Sequence, residues 1–131
     1  MKTAIHHWRW LLLTTCAVIV VALTTLPRQT FVMQLVERMP HGGAMGDAVG
    51  HASLFASLTA VAYLALRHPT GRWRASFSVA FWIALCAGLA VGLITELSQA
   101  NAPGRTVSLS DALANWLGVF VMATLISYRR R

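Results

Sequence analysis

The chain predicts an all-α integral membrane protein: four transmembrane helices plus a short amphipathic helix on the external membrane surface. Three observations carry that prediction. The 131 residues are 56% hydrophobic and only 11% charged, with a mean hydropathy of +0.60, which is too apolar for a soluble domain of this size. The apolar residues gather into four runs, each near the roughly 20 residues a helix needs to cross the hydrocarbon core. Pro27, Pro69 and Pro103 each fall just beyond such a run, where proline ends a helix at little cost. No repeat, low-complexity tract or soluble domain interrupts the pattern, so residues 1–131 form a single membrane domain.

The first run, about 9–26, begins W-R-W-L-L-L and ends T-T-L. Lys2 and Arg9 before it resemble the start of a signal peptide, but no small-x-small cleavage site follows, so the run is expected to stay as a span. Residues 27–46 connect it to the second run. Within them Phe31, Val32, Leu35, Val36 and Met39 recur at helical spacing, which predicts an amphipathic helix over 30–39 lying on the outer leaflet. His41-Gly42-Gly43 and Gly46 then read as a flexible turn back into the bilayer. The second run is about 48–67, the third about 75–100 and the fourth about 111–128, joined by the short loops 68–74 and 101–110. Ala52, Ala56 and Ala60, Gly88 and Gly92, and Ala114 and Gly118 put small residues at four-residue spacing on the last three spans. These stripes let membrane helices approach closely, so those spans are expected to form the bundle core, with the first more peripheral.

A net charge of +7 raises the question of nucleic acid, but its distribution argues for topology instead. In a four-span model eight of the eleven basic residues (Lys2, Arg9, Arg67, Arg72, Arg74, Arg129, Arg130, Arg131) fall on one side, and Arg28, Arg38 and Arg105 on the other. The positive-inside rule then places both termini and loop 68–74 in the cytoplasm, with anionic lipid as the contact of the basic residues. A nucleic-acid surface would cluster its cations among polar residues of a folded face. Cys16 and Cys86 lie inside spans without metal-ligand spacing, so neither a disulfide, a metal nor a cofactor is expected.

The few other polar residues converge at the outer boundary in this topology. The chain has four acidic residues, and Glu96 lies in a segment that otherwise reads as membrane-spanning, where an ionisable side chain is expensive and faces a partner, a cavity or a substrate. Gln99 shares its helix face at i,i+3. Asp47 precedes the second span and His51 sits about one turn into it. Arg105 lies in the third loop, and Asp111 and Asn115 open the fourth span at i,i+4. Ser108 or Ser110 is placed to cap that last helix, with Asp111 complementing its dipole. At 1.5 Å rise per residue, the set spans about 10 Å of depth.

The stretch from Gly92 to Gly118, G-L-I-T-E-L-S-Q-A-N-A-P-G-R-T-V-S-L-S-D-A-L-A-N-W-L-G, resembles the signature of the VanZ-like family. The matching positions are Gly92, Glu96, Gln99, Arg105, Ser108, Asp111, Asn115 and Gly118, over about a fifth of the chain. An upstream element of the family, D-K-x-x-H-x-x-x-Y, falls at Asp47, His51 and Phe55, with Ala48 in place of the lysine and Phe55 in place of the tyrosine. The resemblance implies a bacterial helical membrane protein, in a family named for an accessory protein of glycopeptide (teicoplanin) resistance. It identifies a site rather than a reaction.

Four functions fit these residues. Glu96 with Arg105, and His51 with Asp111, would serve as ion pairs and hydrogen bonds that merely fix the ends of three helices. A binding site built from Asp47, His51, Glu96, Gln99, Arg105, Asp111 and Asn115 would take an anionic amphiphile such as a lipid-linked cell-envelope precursor or a membrane phospholipid. In that case Arg105 makes a forked contact and apolar walls hold the chain. A membrane-embedded enzyme would use His51, Glu96 or Asp111 as general acid or base on a lipid-linked phosphate or acyl group. There is, however, no G-x-S-x-G, no H-E-x-x-H and no phosphate-binding glycine loop. A small transporter would need its carboxylate near mid-membrane, and Glu96 is near one end.

Overall fold

The computed structural model describes residues 4–25, 34, 44–67, 77–101 and 107–129. It is all-helical there, with α1 Ala4–Thr25, α2 Ala44–Leu66, α3 Phe77–Gln99 and α4 Leu109–Tyr128. Stretches Met45–Leu66, Ser78–Gln99 and Leu109–Tyr128 are long and apolar enough to cross a membrane, whereas the apolar part of α1, Trp10–Leu23, is shorter. A 23-residue helix such as α2 or α3 is about 34 Å long, matching a hydrocarbon core of about 30 Å. The outward faces carry Leu, Ile, Val and Trp, as a surface solvated by lipid must. Of the expected amphipathic segment 30–39 only Gln34 is described, and it is helical; the segment otherwise lies outside the described residues, as do the three prolines.

All four helix starts differ from the sequence expectation: α1 begins at Ala4 rather than about 9, α3 at Phe77 rather than about 75, and the starts of α2 and α4 bear on the site. α2 starts at Ala44, so Gly46 is helical rather than part of a turn, and His51 sits two turns into the helix rather than one. Asp47 in the first turn explains the extension, because its carboxylate complements the exposed N–H groups of the helix start. α4 starts at Leu109 because Ser108 caps it. Ser108 has extended backbone (φ −122°, ψ 119°), and its hydroxyl accepts from the Asp111 N–H at 3.3 Å.

The helices run alternately up and down. α2 and α4 are parallel and pack most extensively, α3 runs antiparallel to both, and α1 lies against α2 and α3. Small residues decide how close the helices come. A Cβ on Gly118 would overlap the Ala52 carbonyl and lie 2.9 Å from Ala52 Cα, so α2 and α4 meet backbone to backbone at this point. On α3, a Cβ at Gly88 would sit 2.9 Å from Thr59 Oγ1 and 3.0 Å from Val119 Cγ2. One at Gly92 would sit 3.3 Å from Asn115 Cβ and 3.5 Å from Phe55 and Trp116. The glycine stripe of α3 thus faces both α2 and α4. Phe55, Leu58 and Val119 fill the centre, and α1 contributes Val20 to the same cluster. A second cluster, Tyr63, Ala80 and Ala84, closes the other end.

Candidate functional site: a buried carboxylate wired to a histidine

α3 places Glu96 and Gln99 three residues apart on its inner face. Each is 1% exposed, while their neighbours Ile94 and Leu97 are 59% and 58% exposed on the lipid side. Helical phase alone produces that contrast. The Glu96 carboxylate is held by three neutral donors. Its Oε1 accepts from Gln99 Nε2 at 3.4 Å and Asn115 Nδ2 at 3.3 Å, and its Oε2 from the Ser108 backbone N–H at 3.5 Å. No lysine or arginine pairs with Glu96 among the described residues. All three bonds are long, so the carboxylate is contained rather than tightly clamped.

Asn115 of α4 is fully buried and bridges this acid to α2. Its amide oxygen is 2.9 Å from His51 Nδ1, shorter than any of the three contacts to Glu96. The direction of the chain follows from chemistry. A carboxylate only accepts, so the amide turns its NH₂ to Glu96 and its oxygen to His51, and the proton on His51 must then be on Nδ1. The other ring nitrogen, Nε2, is left as the reactive atom of a half-buried imidazole. Three residues from three helices therefore form one oriented line: Glu96, Asn115, His51.

Register explains why His51 meets Asn115 and not Asp111. The Gly118–Ala52 contact sets α2 and α4 at one height. His51 is one residue from Ala52, and Asn115 is three from Gly118, which leaves them about 3 Å apart along the axis. Asp111, seven residues from Gly118, is offset by about 9 Å. The His51–Asp111 ion pair considered from sequence is thus replaced by a His51–Asn115 hydrogen bond. Asp111 is partly exposed in the first turn of α4.

Other expected residues are placed differently. Asp47 is exposed in the first turn of α2 and makes no hydrogen bond to the cluster among the described residues. Arg105 lies outside the described residues. No group of three or more His, Cys, Asp or Glu side chains converges to hold a metal among the described residues, and Cys16 and Cys86 are free. Phe55, where the resembled family carries tyrosine, is fully buried directly beneath the polar line, against Gly92. That position is therefore apolar floor in this chain.

Some contributors were not singled out from sequence. Trp116 donates its indole N–H to the Leu89 carbonyl at 3.3 Å, tying α4 to α3 just below Asn115. Buried Thr59 and Thr95 return their hydroxyls to Phe55 O (2.8 Å) and Gly92 O (3.0 Å), so neither leaves an open polar group in the apolar interior. Thr59 was visible in principle, since it continues the His51–Phe55 face at i+4. Ser108 was legible as a cap, but its backbone contact to Glu96 was not.

Comparison of the chain with protein-family models, curated proteins and solved structures finds no match.

Proposed function

We propose that this is a VanZ-like membrane protein that recognises an anionic, membrane-borne ligand at the end of the bundle where α2 and α4 begin. The ligand class is an anionic lipid or a lipid-linked cell-envelope component. The observation that carries the reading is the Glu96–Asn115–His51 line: a buried carboxylate with no cation among the described residues, spent on orienting one half-buried imidazole. Burying a carboxylate is costly, and such a group in a membrane helix marks function more often than packing. In this reading Glu96, Gln99 and Asn115 are positioning residues. A hydroxyl or N–H of the ligand donates to His51 Nε2, and its anionic group meets the guanidinium fork of Arg105. Arg105 stands three residues before Ser108 in the sequence, and the Ser108 N–H touches Glu96. Asp111 and Asp47 bias the mouth against unselective anion binding.

The orientation belongs to the same proposal. The eight-to-three split of basic residues supports a multi-pass inner-membrane protein with both termini cytoplasmic, so the His51 end faces outward. Glycopeptides act on that side, which makes a link to glycopeptide resistance chemically coherent. Cysteines placed at Thr70 and Thr106 in a background lacking Cys16 and Cys86 test it. An impermeant thiol reagent added to intact cells is expected to label position 106 and spare position 70, and the reverse pattern turns the site inward.

Arg105→Lys tests the ligand contact, because lysine keeps the charge and loses the planar fork. Normal membrane levels and thermal stability are expected, together with loss of the wild-type gene's ability to complement a deletion strain challenged with glycopeptide. Mass spectrometry of lipids co-purifying with wild type, Arg105→Lys and Glu96→Gln then identifies the ligand as the species missing from the variants. A fully complementing Arg105→Lys removes the fork from the proposal.

The His51 geometry favours a second reading, a membrane-embedded enzyme acting on a lipid-linked phosphate or acyl group. A ring whose Nδ1–H is held by an acceptor presents Nε2 as a general base. Turnover of the co-purified lipid by wild type, but not by His51→Gln, separates this reading from binding alone.

A further inference from the structure

We propose that the cleft between the last two turns of α2 and α4, at the end of the bundle opposite Glu96, binds an anionic phospholipid. Arg67 and Arg129 take its phosphate, and Ala60, Leu64, Met122 and Leu125 take its acyl chain. The cleft has a volume of about 600 Å³, within the range of small-molecule sites, and both arginines line it together with these apolar side chains. Its two walls are matched. Ala60 to Arg67 on α2 and Met122 to Arg129 on α4 are each seven residues, so the apolar part extends about 10 Å inward from the arginine level. A cationic rim over a 10 Å apolar slot has the shape and polarity of a phospholipid's phosphate and upper acyl chain.

The two arginines are held where the helix ends favour cations. α2 and α4 are parallel and both end here, so their partial negative ends keep the guanidiniums at the rim, and the full charges of the pair outweigh those partial charges toward an anion. Arg129 is the residue that caps α4, and Arg67 follows the last residue of α2. Arg67 is also oriented: its Nη1 donates to the Tyr63 hydroxyl at 2.8 Å, and its guanidinium lies 5.8 Å from the centre of that ring. A guanidinium held on an aromatic ring stays extended at the cleft instead of sweeping through solvent. The aromatic residues place this end at headgroup depth. Trp8 lines a small crevice with Leu64 and Ala65, Trp10 is exposed two residues on, and Tyr128 precedes Arg129. Tryptophan and tyrosine collect at this level of a bilayer, where their rings straddle the boundary. Lipid tails fill any open cleft in a membrane, and the two arginines add selectivity for an anionic head.

The test is native mass spectrometry of the full chain, delipidated in detergent and loaded with phosphatidylglycerol or with phosphatidylcholine of the same acyl chains. Wild type is expected to retain one phosphatidylglycerol about tenfold better than phosphatidylcholine, the size of one charge-assisted contact. Arg67→Gln with Arg129→Gln should abolish the preference, and Met122→Trp should displace both lipids by filling the slot. Arg130→Gln with Arg131→Gln, which removes the same charge from the next two positions of the chain, should leave the preference intact. If the Arg67 variant fails to fold, Arg129→Gln alone and Met122→Trp decide the question. The proposal is overturned if the preference survives Arg129→Gln, or falls equally with Arg130 and Arg131, which indicates diffuse attraction. It is likewise overturned if excess inorganic phosphate displaces the lipid, which indicates a head-group site with no role for the slot.

Discussion

Asn115→Leu is expected to be the most damaging polar substitution in the chain. Leucine keeps the forked shape of asparagine but is larger, so two groups lose their partner at once and a fully buried position is also overpacked. Glu96 Oε1 loses one of its two amide donors, and His51 Nδ1–H loses its acceptor. Leaving a buried polar group unsatisfied costs about 1–3 kcal/mol and more for a charged one, so a loss of about 3 kcal/mol is expected. Stability of the purified protein in a denaturing-detergent titration measures it. A cycle with Glu96→Gln shows whether the line acts as a unit. Once the carboxylate is neutral, removing Asn115 should cost less, by about 1 kcal/mol or more. Strict additivity would mean that Asn115 and Glu96 are not energetically coupled, and the positioning role of Glu96 would go with it. His51 should suffer alongside: losing its orienting acceptor lets the ring turn, so ligand retention should fall in the fraction that remains folded.

Gly118→Ala is the second. The added methyl meets the backbone of Ala52, which has no rotamer to relieve the overlap, so α2 and α4 must separate or slide. Overpacking of a close core contact costs about 1–3 kcal/mol, and a backbone-against-backbone clash belongs at the upper end. The effect should reach the site, because the same contact sets the height of His51 against Asn115. Gly50→Ala supplies the contrast. A Cβ there meets nothing within 4 Å, and glycine inside a helix costs about 0.5–1 kcal/mol relative to alanine, so this variant should be neutral or slightly stabilising. Equal behaviour of the two variants in the same titration would mean that the α2–α4 contact does not limit the bundle.

How much of the site could be read in advance depends on which physical variable each feature needs. That Glu96, Gln99, Asp111 and Asn115 lie at one depth follows from counting residues from helix ends. Their helix faces follow from i,i+3 and i,i+4 spacing. Neither variable says how each helix is rotated or slid against its neighbour. Asp47 shows the limit: it shares the depth of the set and the face of His51, yet it is exposed and outside the hydrogen-bonded line.

By itself the sequence determined that the chain is all-helical and membrane-like, that α2, α3 and α4 supply small-residue faces, and that Ser108 is placed to begin α4. Each of these is one-dimensional. Hydropathy over some twenty residues registers the thickness of a bilayer, and a cap is read from a residue and its next three neighbours. Only the tertiary structure decided the pairing. Asn115, rather than Asp111 or a cation, stands between Glu96 and His51 because Gly118 admits the Ala52 backbone and so fixes the sliding of α2 on α4. A shift of one helical turn, about 5.4 Å, would present His51 to a different residue with every span boundary unchanged. Close packing at a single glycine thus selects the chemistry of the site, and no local pattern in either helix records that choice.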